Sequence, residues 1–151
     1  RHWLEGFRRK LGLNLVDAGD HALVTDLLAV MNAESADFTN TFRALAKAAT
    51  DDATLPDPFA DWISRWRARL ARESGGLEAC MTTLQRANPV FIPRNHRIEE
   101  LIAAAVQHGD FKPFHALRAV LARPYDEQPD RDWYRTPPLP HERVQNTYCG
   151  T

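Results

Sequence analysis

The spacing of the apolar residues constrains the fold most, because these residues recur every three or four positions along almost the whole chain. The clearest stripe comprises Phe59, Trp62, Ile63, Trp66 and Leu70. Residues at this spacing share one face of an α-helix. A half-buried β-strand would need apolar and polar residues to alternate, and no such alternation persists. The sequence therefore predicts an all-α protein.

Turn and capping residues divide the stripes into about seven helices, packed as a bundle or an orthogonal array. Four aspartates precede stripes and can accept hydrogen bonds from free helical amides: Asp20, Asp37, Asp57 (with Pro58 in the first helical position) and Asp110. Glycines at 12, 75–76 and 109 are the expected stops. The best-bounded predictions are residues 2–10 for the first helix, 77–87 for the fifth and about 97–107 for the sixth.

The last two helices should bury their stripes. In the sixth helix the residues expected to face inward are Ile98, Leu101, Ile102, Ala105 and Val106, and in the seventh Phe114, Leu117, Val120 and Leu121. From residue 123 the composition changes, and five of the ten prolines lie between Pro124 and Pro140. The sequence therefore predicts a helical domain over 1–122 and an extended, proline-rich tail over 123–151.

Charge and composition exclude several classes. The net charge is −1, which is unusual for a protein that works by neutralising phosphates. No apolar run approaches 18 residues, so we expect no membrane-spanning segment. Two cysteines without paired spacing favour a reducing compartment. The chain begins within a helical pattern, without a signal peptide, and we expect it to be part of a longer protein.

The sequence offers no complete catalytic or metal motif. Cysteines and histidines are scattered, without the Cys-x2-Cys or close histidine pair of a zinc site. A nucleophile elbow and a glycine-rich phosphate loop are also missing. We therefore predict no catalytic, cofactor-binding or metal-binding residue in this chain.

The two cysteines differ in setting. Cys80 falls inside the fifth helix and is expected to be a small buried residue. Cys149 is third from the end of the sequence, where an exposed thiol could exchange with other thiols or have no role.

Two basic clusters admit two interpretations. Arg65, Arg69 and Arg72 share one face of the fourth helix, and residues 8–10 are Arg-Arg-Lys. They could form a surface for nucleic acid or an acidic protein. A solvated helix face is favoured, because the tryptophans of that helix point elsewhere.

The segment 88–96, Asn-Pro-Val-Phe-Ile-Pro-Arg-Asn-His, is predicted to be a non-helical connector. Its residues 90–92 lie between two prolines and are predicted to be extended, since residues before proline avoid the α region. Its polar side chains could pair with the connector's own backbone groups, which is the favoured interpretation. Alternatively Arg94, Asn95 and His96 could hold a neighbouring domain.

These segments also carry a resemblance. The most specific parts are residues 88–97 and the ending Thr-Tyr-Cys-Gly-Thr at 147–151; residues 10–13, 37–39, 42–45, 103–105, 109–111 and 123–125, with Asp20, agree in order and spacing. The chain resembles the carboxy-terminal part of the selenoprotein O family along essentially its whole length.

The resemblance implies a longer protein with a kinase-like fold that transfers AMP from ATP to Ser, Thr or Tyr hydroxyls of target proteins. It implies ATP and Mg²⁺ (or Mn²⁺) for that longer protein, and as partners the amino-terminal kinase-like core and the protein substrates. The family's nucleotide-binding residues lie upstream of the matched part, so none is assigned here. Bacterial members would be cytoplasmic and eukaryotic ones mitochondrial.

One position matches directly, because family members carry selenocysteine or cysteine third from the end. Cys149 is therefore a candidate for redox regulation, through a disulfide with a cysteine of the core. Two alternatives stay open for the chain: a binding module that uses the basic helix face, and a purely structural lid.

Overall fold

A computed structural model of the chain describes residues 2–51 and 54–143. Seven α-helices form its framework: α1 (His2–Lys10), α2 (Asp20–Ala33), α3 (Phe38–Ala48), α4 (Ala60–Leu70), α5 (Gly76–Ala87), α6 (Asn95–His108) and α7 (Lys112–Leu121). Short 3₁₀ helices cover Asp57–Phe59, Asp132–Arg135 and Pro140–Glu142. Within the described ranges no residue is in a β-strand. The all-α prediction is confirmed.

The chain divides into two compact units, with the boundary between Pro89 and Val90. The first unit holds α1 to α5, and the second holds α6, α7 and the segment that follows them. The division at residue 122 that composition indicates stays a prediction.

The first unit is built around the apolar face of α4. Trp62 and Trp66 are almost fully buried and stack with ring centroids 5.5 Å apart. Each indole nitrogen donates to a backbone carbonyl, Trp62 to Leu23 at 2.8 Å and Trp66 to Leu11 at 2.9 Å. The stripe thus supplies apolar area while both polar ring atoms remain paired.

Several predicted helix ends are confirmed. Asp37 accepts the Asn40 amide at 2.9 Å and caps α3. Gly12 and Gly109 have positive φ, +74° and +62°, just beyond α1 and α6. Such left-handed residues end helices most easily when they carry no Cβ. Asp110, by contrast, was wrong as the N-cap of α7, because Phe111 occupies that position; the Asp110 carboxylate accepts the Lys112 amide at 3.0 Å.

Other predicted ends were wrong. Asp20 is the first residue of α2 rather than its N-cap, which is Gly19. Asp57 and Pro58 lie in a 3₁₀ turn before α4 instead of capping it. The fourth helix ends at Leu70, and the expected stop at Gly76 is instead the first residue of α5.

The second unit has a small core of Val90, Phe91 and Val120. Residues 88–94 of the connector lie outside the helices, as predicted, whereas the prediction was wrong at Asn95 and His96, which begin α6. The amides of Val90 and Phe91 both donate to the carbonyl of Pro124, at 2.8 and 3.1 Å. Backbone groups of the buried connector thereby find partners within the unit.

The predicted inward face of α6 was wrong. Its buried residues are His96 and Arg97, whereas Ile102 is 45% exposed and Val106 80% exposed. In α7, Leu117 and Val120 are buried as expected, but Phe114 is 46% exposed. Ile98, Leu101 and Ala105 are half-buried, so the described residues cover the apolar face of α6 only in part.

Beyond α7 the described chain folds back on its own unit. Tyr134 packs on the small core, and Gln128 donates to the carbonyls of Val120 and Arg123, at 3.0 and 2.9 Å. Gln128 thereby occupies acceptors that the end of α7 would otherwise leave unpaired.

Candidate functional site

The first candidate site lies at the start of α6, where the sequence singled out Arg94, Asn95 and His96. These three residues line an open pocket of about 480 Å³, together with Glu142 and Arg143 from the end of the described chain. Arg94 is the N-cap residue and has extended backbone angles, so the connector turns into the helix at the pocket wall.

The three predicted residues differ in burial. Arg94 and His96 are only 7% and 4% exposed, whereas Asn95 is exposed. Burial, with a contribution from the Arg97 charge, lowers the pKa of His96. The imidazole is therefore neutral at neutral pH. Its Nε2 has no hydrogen-bond partner among the described residues.

Arg97 of α6 contacts Trp133 in the segment that follows α7. Its guanidinium lies 3.6 Å from the centroid of the Trp133 ring, and its Nη1 donates to Glu100 at 2.6 Å. A guanidinium stacked on an indole is a favourable cation–π contact. Sequence reasoning missed this pair, since 36 residues separate its members and no local pattern joins them.

Glu142 closes the pocket's other side. It accepts the Leu139 amide at 2.8 Å, and this hydrogen bond lowers the pKa of its carboxyl. The pocket thus combines buried arginine, a neutral histidine and an ionised carboxylate. This lining can hold a polar segment of another protein surface.

A second cluster of ionisable groups is buried in the first unit. The Asp20 carboxylate is fully buried and accepts from Arg8 Nε at 2.6 Å, Arg69 Nε at 2.9 Å and the Asp17 amide at 2.9 Å. Burial opposes ionisation of Asp20, but these hydrogen bonds more than compensate and lower its pKa. Asp20 is therefore a structural anion that joins α1, α2 and α4.

Glu73 completes this buried cluster. It accepts from Arg69 Nη1 at 2.7 Å and from the amides of Asn14 and Leu15 at 2.9 and 3.1 Å. Arg69 in turn donates to the Leu15 carbonyl at 2.9 Å. The cluster fixes the loop between α1 and α2. Sequence reasoning overlooked Glu73, although its position four residues after Arg69 is a recognisable ion-pair spacing.

The predicted solvated face of three arginines is confirmed for Arg65 and Arg72, which are exposed, and wrong for Arg69. Arg69 is 5% exposed. Arg65 pairs with Asp26 at 2.7 Å and with Asp61 at 3.1 Å, and Arg72 pairs with Asp17 at 2.9 Å. Each cation thus has a carboxylate beside it, because the fold brings acidic side chains of α2 and its preceding loop against α4. The proposed anion-binding surface loses its main support.

The basic residues 8–10 also contact side chains of the first unit. Arg8 binds Asp20, and Arg9 lies 3.5 Å from Glu5. Lys10 Nζ lies 5.6 and 5.5 Å from the ring centroids of Phe38 and Phe42.

Asn88 has a structural role, but its side chain pairs with α1 and not with the connector's own backbone. Its side-chain amide donates to the Lys10 carbonyl at 2.8 Å, and its own carbonyl accepts from Arg43 at 3.1 Å. Asn88 is 1% exposed and belongs to the first unit.

The two cysteines were predicted to differ. Cys80 is fully buried in α5, and burial, with a contribution from the Glu73 charge, raises the pKa of its thiol. It is therefore a poor nucleophile at neutral pH. Cys149 lies outside the described residues.

The described residues do not fit a nucleotide-bound metal. Over 2–51 and 54–143 no three His, Cys, Asp or Glu side chains converge as metal ligands. The buried carboxylates of Asp20 and Glu73 are already bound to arginines and amides. We therefore derive no chemical step through ATP or Mg²⁺ from these residues. Searched over the same residues, the helices include none with the length and hydropathy to cross a bilayer.

Comparison with known proteins identifies the family. The family model described as "Protein adenylyltransferase SelO" matches residues 1–122. The chain belongs to the SelO family. The resemblance in the connector and the helices is thereby confirmed.

Curated relatives extend the SelO match over nearly the whole chain. Protein nucleotidyltransferase YdiU of Rhizobium etli (strain CIAT 652) is 52% identical over 159 aligned positions, covering 99% of this chain. Proteins of the same name from Agrobacterium fabrum and Nitrobacter hamburgensis are 47% and 49% identical, covering 100% and 99%. This chain spans about a third of the length of these relatives, 31–32%.

Proposed function

We propose that this chain is the carboxy-terminal helical part of a protein adenylyltransferase. The longer protein would transfer AMP from ATP, with Mg²⁺ or Mn²⁺, to Ser, Thr or Tyr hydroxyls of target proteins. The observation that carries the proposal is the SelO match over residues 1–122, with about half of the residues shared with proteins named nucleotidyltransferases. The bacterial cytoplasm is the proposed compartment.

Within that protein the chain would support the catalytic part. Its buried charges are satisfied by one another, as in the Asp20–Arg69–Glu73 cluster, and hold helices and a loop in place. A phosphoryl-transfer centre needs free carboxylates for metal and cations for developing charge. The catalytic residues would therefore belong to the part of the longer protein outside this chain.

A chimera tests the proposal. This chain would replace the matching third of the Rhizobium etli relative, and AMP incorporation into protein from labelled ATP would be measured for the chimera, the relative and the 151-residue chain. We expect the relative and the chimera to incorporate AMP and the chain alone to incorporate none. A folded chimera without activity beside an active relative would contradict the proposal, as would transfer by the chain alone.

We further propose that Arg94, Asn95 and His96 hold the kinase-like core. Asn95 is the position to change, because it is exposed at the first turn of α6 while its neighbours are buried. An Asn95→Asp substitution favours the helix dipole and should leave the isolated chain stable. It should nevertheless lower AMP transfer by the chimera about tenfold if it costs one contact. Ala22→Asp, on exposed surface in the first turn of α2, is the control, because it also adds a carboxylate near a helix N-terminus. Equal activity of the two variants would refute the docking role.

The redox role of Cys149 is also a proposal. Its thiol would form a disulfide with a cysteine of the core, with the two electrons and two protons passing to an external disulfide such as oxidised glutathione. Activity and non-reducing gel mobility of the chimera and its Cys149→Ser variant would be compared under oxidising and reducing conditions. Redox-dependent changes should disappear in the variant, and identical behaviour of all four samples would remove the proposal.

A further inference from the structure

The second unit has an apolar surface that the described chain leaves uncovered. On α6 and the start of α7, Ile102 is 45% exposed, Val106 80%, Phe111 57% and Phe114 46%. Ile98, Leu101 and Ile102 lie within about 100° of one another around α6, given 100° per residue. They form the apolar face of α6, whereas the residues of α6 that are fully buried are His96 and Arg97.

A groove runs along this surface between the two helices. Ile98 and Leu101 from α6 and Phe114, Leu117 and Leu121 from α7 line a space of about 560 Å³. We call these lining residues the α6–α7 groove. Ile102 does not line it but follows Leu101 on the same apolar face of α6 and is 45% exposed. Side chains from two helices that converge on one apolar depression can accept a ridge of side chains from a third element.

The size of the groove indicates what kind of occupant it takes. A stable contact between separate molecules uses about 20–30 residues on each side, and the groove offers far fewer. A segment of the same polypeptide would meet the groove at an effective concentration of about millimolar, so a small apolar surface is enough to bind it. About two thirds of the length of the SelO relatives lies outside the match, since the match covers 32% of the Rhizobium etli protein.

We propose that the α6–α7 groove is the docking surface for an apolar segment of the SelO-family chain outside this match. This inference rests on the proposed function and adds a second, apolar surface to the polar one at Arg94–His96. The apolar face of α6 is then an intramolecular interface, which explains why the stripe has helical period although Ile102 and Val106 are exposed.

Thiol labelling measures whether the groove is covered. Ile102→Cys places a probe on the apolar face of α6 beside the groove, and Gln107→Cys places one on exposed surface about 140° away around α6. Both would be made in a Cys149→Ser background, in the 151-residue chain and in the chimera with the Rhizobium etli relative. Reaction with N-ethylmaleimide would be followed by mass spectrometry of the probe's own peptide, and Cys80 stays silent because it is fully buried.

We expect the Ile102→Cys thiol to react at least about tenfold more slowly in the chimera than in the chain alone. A tenfold decrease corresponds to about 1.4 kcal/mol of protection. The Gln107→Cys thiol should react at similar rates in both. Equal rates for Ile102→Cys in the two proteins would overturn the proposal.

Two further readouts separate the explanations. Protection in the 151-residue chain that rises with its concentration would show a second copy in the groove and would overturn the proposal. AMP transfer by the same chimeras distinguishes this inference from the proposed function. An active chimera with an unprotected groove refutes the docking surface alone, whereas a protected groove in an inactive chimera supports the docking surface and counts against the enzymatic assignment.

Discussion

Asp20→Asn should destabilise the first unit strongly, because Asp20 is fully buried and two of its three hydrogen-bond donors are arginines. Asparagine has nearly the same shape but carries no charge. Its amide group would also turn one NH₂ toward an arginine donor. Arg69, itself 5% exposed, would keep Glu73 as its one carboxylate partner among the described residues.

The expected loss follows from these contacts. Breaking a buried ion pair by removing one partner costs about 3–5 kcal/mol, against a total stability of about 5–15 kcal/mol for a domain. With a urea dependence of about 2 kcal/mol per molar, the unfolding midpoint should fall by about 2 M. Trp62 and Trp66 are buried in the same unit, so their fluorescence reports this transition.

Asp26→Asn is the matched control. Asp26 pairs with Arg65 at 2.7 Å, but both side chains are nearly half exposed. Solvent screens such a pair, and its loss should cost about 0–1 kcal/mol. Equal midpoints for Asp20→Asn and the wild-type chain, or equal losses in the two variants, would refute the argument that the buried cluster stabilises the unit.

The remaining predictions concern pH and glycine. The pKa of Asp20 is lowered in the folded state, so its contribution to folding stability is complete above about pH 4 and declines below it. In an acid titration followed by tryptophan fluorescence, Asp20→Asn should therefore lose stability less steeply than the wild-type chain. The pKa of His96 is also lowered, so the unfolded chain binds more protons below about pH 6.5 and the second unit loses stability there. His96→Gln should remove this dependence, measured by hydrogen exchange of α6 amides between pH 7 and 5; an unchanged dependence would show that another group causes it. Gly109→Ala should cost about 1 kcal/mol of stability through its positive φ alone. Gly12→Ala should cost more, because the added Cβ would lie 2.9 Å from Leu84 Cγ and 3.0 Å from the Cys80 carbonyl oxygen. Equal thermal midpoints for the two variants would refute this difference.

Local signals accounted for most of the secondary structure. The Asp37 cap, the left-handed Gly109 and the α4 stripe all lie where sequence placed them. These features depend on neighbours within one or two turns. The end of α4 was misplaced because the glycines at 75 and 76 were taken as its stop, whereas the helix ends at Leu70.

Long-range pairing could not be predicted in the same way. Asp20 looked like a helix cap, yet 49 residues separate it from its partner Arg69. Arg69 looked exposed because periodicity shows which residues share a face and not which carboxylates that face meets. For the same reason the stripe of α6 predicted an apolar surface correctly but placed it in a core that the described residues do not supply.

Binding of ATP with Mg²⁺, measured by isothermal titration calorimetry for the 151-residue chain and for the chimera, tests the central claim most directly. The account predicts saturable ATP binding by the chimera. For the chain alone it predicts a Kd weaker than about 1 mM, which corresponds to a binding free energy of about 4 kcal/mol. Micromolar binding by the chain alone would contradict it, because the nucleotide site would then lie within these 151 residues.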